Sequence, residues 1–158
     1  MPPAKQSKTS KGLSRALPMA LACALAGLAI GLKVVFDAER HTFDDFQYIL
    51  PPVAFVMGLL GWWLGVVRPG KSGWMRGLVN GVVIGLMVHV MGWFVFYLQA
   101  YVRGVASGVD FLGDNLELLG LAFAAPVLTY HSLAAYGLET LVFPALGLVF
   151  GLWRQHRS

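Results

Sequence analysis

The sequence predicts an all-α membrane protein: a bundle of four transmembrane helices with an additional interfacial helix on the non-cytoplasmic side. Three observations predict it. Of the 158 residues, 57% are hydrophobic and 13% charged, whereas a soluble domain of this size carries roughly half and a quarter. The charges fall in short stretches between long apolar runs. They are also sorted by sign, because nine of the twelve Lys and Arg residues lie in the N-terminal tail, the loop after the second apolar run and the C-terminus, where none of the eight carboxylates is found.

A basic tail over residues 1–15, with Lys5, Lys8, Lys11 and Arg15, precedes an apolar run over 16–36. About 20 such residues at a rise of about 1.5 Å cross one hydrocarbon core, which makes this the first span. A cleaved signal peptide is the rival reading of residues 1–36. It is set aside because the apolar run continues past Cys23 and Ala20 stands where a lipoprotein cleavage site wants Leu. An acidic loop with Asp37, Glu39, Asp44 and Asp45 leads to a second span over 48–67. The next loop is basic (Arg68, Lys71, Arg76), and its Pro69, Gly70 and Gly73 end one helix and permit a turn before the third span, 77–102.

After Arg103 a loop with Asp110, Asp114 and Glu117 opens a final apolar stretch. From Glu117 to Arg154 one helix would extend on the order of 55 Å against a core of about 30 Å, so the stretch must be two pieces. Pro126 is the expected break. It leaves an interfacial helix over 116–125 and a fourth span over 128–153, kinked at Pro144, before a short tail over 154–158. By the excess of Lys and Arg, both termini belong in the cytoplasm. The net charge of +4 is explained by that topology and implies no nucleic-acid partner. The single Cys23 excludes an internal disulfide.

Lipid gives no hydrophobic drive between helices, so small residues that allow close backbone approach must supply much of the packing. Each span carries a four-residue glycine spacing: Gly27 and Gly31; Gly61 and Gly65; Gly77, Gly81 and Gly85; Gly147 and Gly151. Aromatic residues gather toward the span ends, with Trp62, Trp63, Trp74 and Trp153 on the cytoplasmic side and Phe46, Tyr48, Tyr97 and Tyr101 on the other, as headgroup anchors do.

Ionisable groups inside a span are costly and therefore candidates for function. His89 lies midway between Arg76 and Arg103, roughly 20 Å from either end at helical rise, and Glu139 lies fifteen residues before Arg154, roughly 22 Å deep. At matching depth they are expected to form an intramembrane polar pair, serving first as an interhelical hydrogen bond and otherwise in proton or ion handling. Met87 and Met91 flank His89, but a residue two positions away points to a different face, so no metal site is expected. No catalytic constellation and no cofactor motif is present, which points away from an enzyme.

The stretch Phe46-x-Tyr48, Pro51, Gly58, Gly61-Trp62, Gly65, Arg68, Gly70, Gly73-Trp74 resembles the pattern of TrgA-like proteins, small bacterial inner-membrane proteins associated with tellurite resistance. The segment Asp114 to Glu117 resembles the opening of that family's outer helix. The chain departs from the family at Pro69-Gly70, in its longer basic tail, and at His89 and Glu139, which have no counterpart there. The resemblance implies a bacterial inner-membrane location and a part in tellurite or envelope stress resistance, without a mechanism. Two other expectations remain open: an accessory subunit of a larger membrane complex, and a homo-oligomeric proton- or ion-coupled transporter using His89 and Glu139. The lipid bilayer is the partner common to all three.

Overall fold

The computed structural model describes residues 8–36, 45–70, 73–107, 113–127, 129 and 141–156, and every regular element among them is helical. The first helix, α1, spans Lys8–Phe36 and so begins well before the apolar run. Residues 8–15 contain no proline, and the backbone continues helical through them. Helix α2 spans Phe46–Trp62 and widens into a π-helical turn over Trp63–Val67, in which Arg68 N donates to Trp63 O at 2.7 Å. Helix α3 spans Trp74–Ser107, α4 Gly113–Phe123 and α5 Val142–Gln155.

Three of these helices are long and apolar enough to cross a membrane, over Gly12–Val34, Phe46–Val67 and Trp74–Val105. The third overruns a core of about 30 Å by several turns. Helix α4 covers much of the expected interfacial segment. It stops short of Pro126, which has no N–H to offer the Ala122 carbonyl and whose ring crowds that oxygen. Only the C-terminal half of the expected fourth span is described, as α5. Pro144 lies in the first turn of α5, where a missing N–H breaks no hydrogen bond within that helix; the residues that would precede a kink there lie outside the described ones.

The π turn has a packing reason. Ala54, Gly58, Trp62 and Val66 recur every fourth residue and are all buried. In a regular helix each such step drifts by about 40°. The wider turn after Trp62 holds Val66 on the buried face. Trp62, only 2% exposed, is therefore a core residue and not the headgroup anchor its position suggested, and it meets Phe150 edge-on at 6.1 Å. Phe46 is buried likewise, against Trp93 at 5.1 Å and Phe96 at 5.0 Å. Trp74 and Trp153 remain about half exposed, as anchors require.

α1 packs most extensively on α2, and α3 on α5, while α2 against α3 joins the two pairs and α4 leans on α3. Met19, Cys23, Val66, Ile84 and Phe143 are the largest fully buried side chains. Asp45, beside the start of α2, pairs with Arg103 of α3 at 2.5 Å. That end of the bundle is opposite the one where the start of α1 and the end of α5 meet the loop between α2 and α3.

Candidate intramembrane site

The glycines mark where helices touch. A Cβ on Gly27 would fall 2.8 Å from Leu50 O, and one on Gly31 2.7 Å from Gln47 Cα, so both face the α2 backbone. Gly77 and Gly147 oppose each other across α3 and α5, where a Cβ on either would collide with the other's carbonyl oxygen. A Cβ on Gly81 would fall 2.5 Å from Phe143 O and one on Gly151 2.8 Å from Gly73 O, and Gly85 receives the Phe143 side chain. The α2 glycines serve differently, because side chains fill them: Ile84 packs on Gly61 and the Asn80 amide on Gly65. Gly58, whose added Cβ would fall 2.8 Å from Cys23 Cβ, belongs to the same set. Its signal in the sequence is the spacing from Ala54, a small residue four positions earlier.

Two polar side chains hold this region together. The helical acceptor Gly65 O would normally be served by the N–H four residues on, but that residue is Pro69. Arg76 Nε donates to it instead at 2.6 Å. Asn80 Nδ2 donates to Gly61 O at 3.1 Å, just before the π turn. Sequence reasoning passes over Asn80 as an isolated amide; the useful signal is a proline placed four residues after a glycine near a helix end, with polar side chains on the next helix.

Between α2 and α3 runs a groove of about 400 Å³, lined by Met57, Leu60, Gly61, Leu64, Asn80 and Met87 among others. It is apolar apart from the Asn80 amide. Leu60, Leu64 and Met87 are each more than two-fifths exposed, so the groove opens sideways from the bundle. Through its width, shape and lining it can take an apolar chain or a side-chain ridge of a neighbouring helix, and it offers no acid, base or nucleophile for a reaction.

His89 sits half-buried on α3 and does not line this groove. Glu139 lies outside the described residues, so the pair remains an expectation from depth along the helices. Among the described residues no three His, Cys, Asp or Glu side chains converge as metal ligands. No family model, curated protein or solved structure matches the chain.

Proposed function

We propose that this chain is a non-enzymatic integral protein of the bacterial inner membrane, crossing it four times with both termini cytoplasmic, and that it supports tellurite or envelope stress resistance. The last crossing comprises α5 and the residues before it, and α4 lies along the outer interface. The observation that favours a packing role over a catalytic one is the use made of interfacial polar side chains. Arg76 and Asn80 of α3 each donate to a main-chain carbonyl of the neighbouring helical segment, at Gly65 and Gly61. Such bonds hold helices in register and leave those donors engaged.

A deletion strain should lose tolerance to tellurite or to envelope stress and regain it on complementation. Unchanged tolerance to both would remove the stress role. For the topology, a phosphatase reporter active only outside the cytoplasm should be active when fused after Asp44 and silent at the C-terminus.

The groove between α2 and α3 favours a second reading, an accessory subunit of a larger membrane complex. Flexible Met57 and Met87 beside Gly61 suit a partner helix, since methionine adapts to irregular surfaces. Purification from gently solubilised membranes distinguishes the readings: a large stoichiometric complex supports the subunit, and a protein recovered alone supports the first.

A further inference from the structure

The groove between α2 and α3 has a charged end. Arg76 stands one helical turn before Asn80, which lines the groove, and its Nε is fixed at 2.6 Å on the main-chain oxygen of Gly65, another lining residue. Because Gly65 O is the carbonyl left unserved by Pro69, the end of α2 itself anchors the guanidinium beside the groove. That bond uses one of the five N–H groups of the side chain. Nη1 and Nη2 have no partner among the described residues, and although Arg76 is half-buried, neither nitrogen is cut off from the surface.

Depth and polarity follow the order of a lipid. Trp74 begins α3 and is about half exposed, as an anchor at headgroup level is, and Arg76 lies two residues inside it. From there the groove runs along α2 from Gly65 to Met57, about 12 Å at helical rise, and along α3 from Asn80 to Met87. Its walls are apolar apart from the Asn80 amide, whose Nδ2 already serves Gly61 O. A groove that is cationic at the interface and apolar toward the middle of the bilayer matches a phosphate followed by an acyl chain. Carboxylates are elsewhere among the described residues: Asp45 is held by Arg103 at the opposite end, and Glu117 lies on α4. A partner helix matches less well, because its main-chain acceptors are used within itself and would leave the Nη groups unmet.

We propose that the α2–α3 groove binds an anionic phospholipid, with one acyl chain lying in the groove and the phosphate on Nη1 and Nη2 of Arg76. The site does not depend on the stress role, and its failure would leave that role standing. It competes with the accessory-subunit reading, since a lipid and a partner helix in this groove exclude each other.

The experiment is thermal unfolding of the full-length protein in a neutral detergent. Phosphatidylglycerol is compared with phosphatidylcholine at equal mole fraction, and inorganic phosphate with chloride at equal ionic strength. Phosphatidylglycerol at about a hundredfold excess over Kd should raise the midpoint by roughly 5–10 °C, and phosphatidylcholine by less than half of that. The rise should fall by more than half in R76Q, which lacks the guanidinium, and in M87W, which fills the groove from a half-exposed position. It should persist in R103Q, at the opposite end, and in L25W, which adds the same bulk on an exposed face of α1. Equal rises with the two lipids, no rise with either, or a rise that survives both R76Q and M87W overturns the proposal. So does a rise with inorganic phosphate that M87W leaves intact, which identifies an anion site without the groove. A stoichiometric protein partner whose presence abolishes the phosphatidylglycerol effect assigns the groove to a helix and overturns it as well. Should R76Q not fold, M87W against L25W carries the same comparison.

Discussion

Replacing Gly77 by Ala adds one methyl group at the tightest point between α3 and α5. There the new Cβ would overlap Gly147 O and lie 2.9 Å from Gly151 Cα. Neither neighbour is a side chain that can rotate away, so the two helices must part by roughly 0.5–1 Å to restore ordinary contact, a gap that forfeits a quarter to a half of each close pair's attraction. At about 0.1–0.2 kcal/mol per atom pair, over the many pairs of this seam, the loss is about 1–3 kcal/mol, within the range for overpacked cores. Gly120 on α4 is the control, since a Cβ there meets nothing within 4 Å. Gly120→Ala should be neutral or gain up to about 1 kcal/mol of helix propensity. Gly147→Ala should cost about as much as Gly77→Ala, but the double variant less than the sum, because the first methyl already separates the helices that the second would separate. Thermal unfolding in detergent followed by far-UV circular dichroism measures all four variants against the native protein. If Gly77→Ala melts at the native midpoint while Gly120→Ala melts lower, the reasoning from backbone contact is refuted.

Asn80→Ala removes the bond to Gly61 O and should lower stability by about 0.5–1.5 kcal/mol; an unchanged midpoint would mean that the amide contributes nothing to the α2–α3 contact. The pair Asp45 and Arg103 is solvent-exposed, with side chains 36% and 60% accessible, so a double-mutant cycle should give a coupling below about 1 kcal/mol that fades in high salt. A larger, salt-insensitive coupling would contradict that exposure. Cys23 is fully buried beneath Gly58, so a maleimide should label it only after unfolding in SDS, and rapid labelling of the native protein would show that α1 does not lie there.

The three long helices are readable from hydropathy because each is a continuous apolar run and composition alone decides the matter. Their pairing is not. Gly77, Gly81 and Gly85 stand in the chain as a four-residue rhythm, yet nothing local says that Gly77 and Gly81 face the backbone of Gly147 and Phe143, more than sixty residues on. Trp62 illustrates a different limit. A tryptophan near a span end reads as an anchor, and only the widened turn that follows it fixes the face on which it and Val66 lie. The role of Asn80 is hidden for a third reason: the carbonyl it serves belongs to another helix, and main-chain acceptors leave no mark in a sequence.

The division of the bundle into an α1–α2 pair and an α3–α5 pair also sets an order of manufacture. During synthesis the first pair is complete as soon as α2 has been made, and its seam at Gly27 and Gly31 can close at once. Helix α3 has no such neighbour in time. Its glycine face must wait for Val142–Gln155, which begins well after α3 has ended at Ser107, and in that interval Gly77, Gly81 and Gly85 are open to the same segment of another nascent chain. Helix α5 thus acts as the latch that closes this half of the bundle.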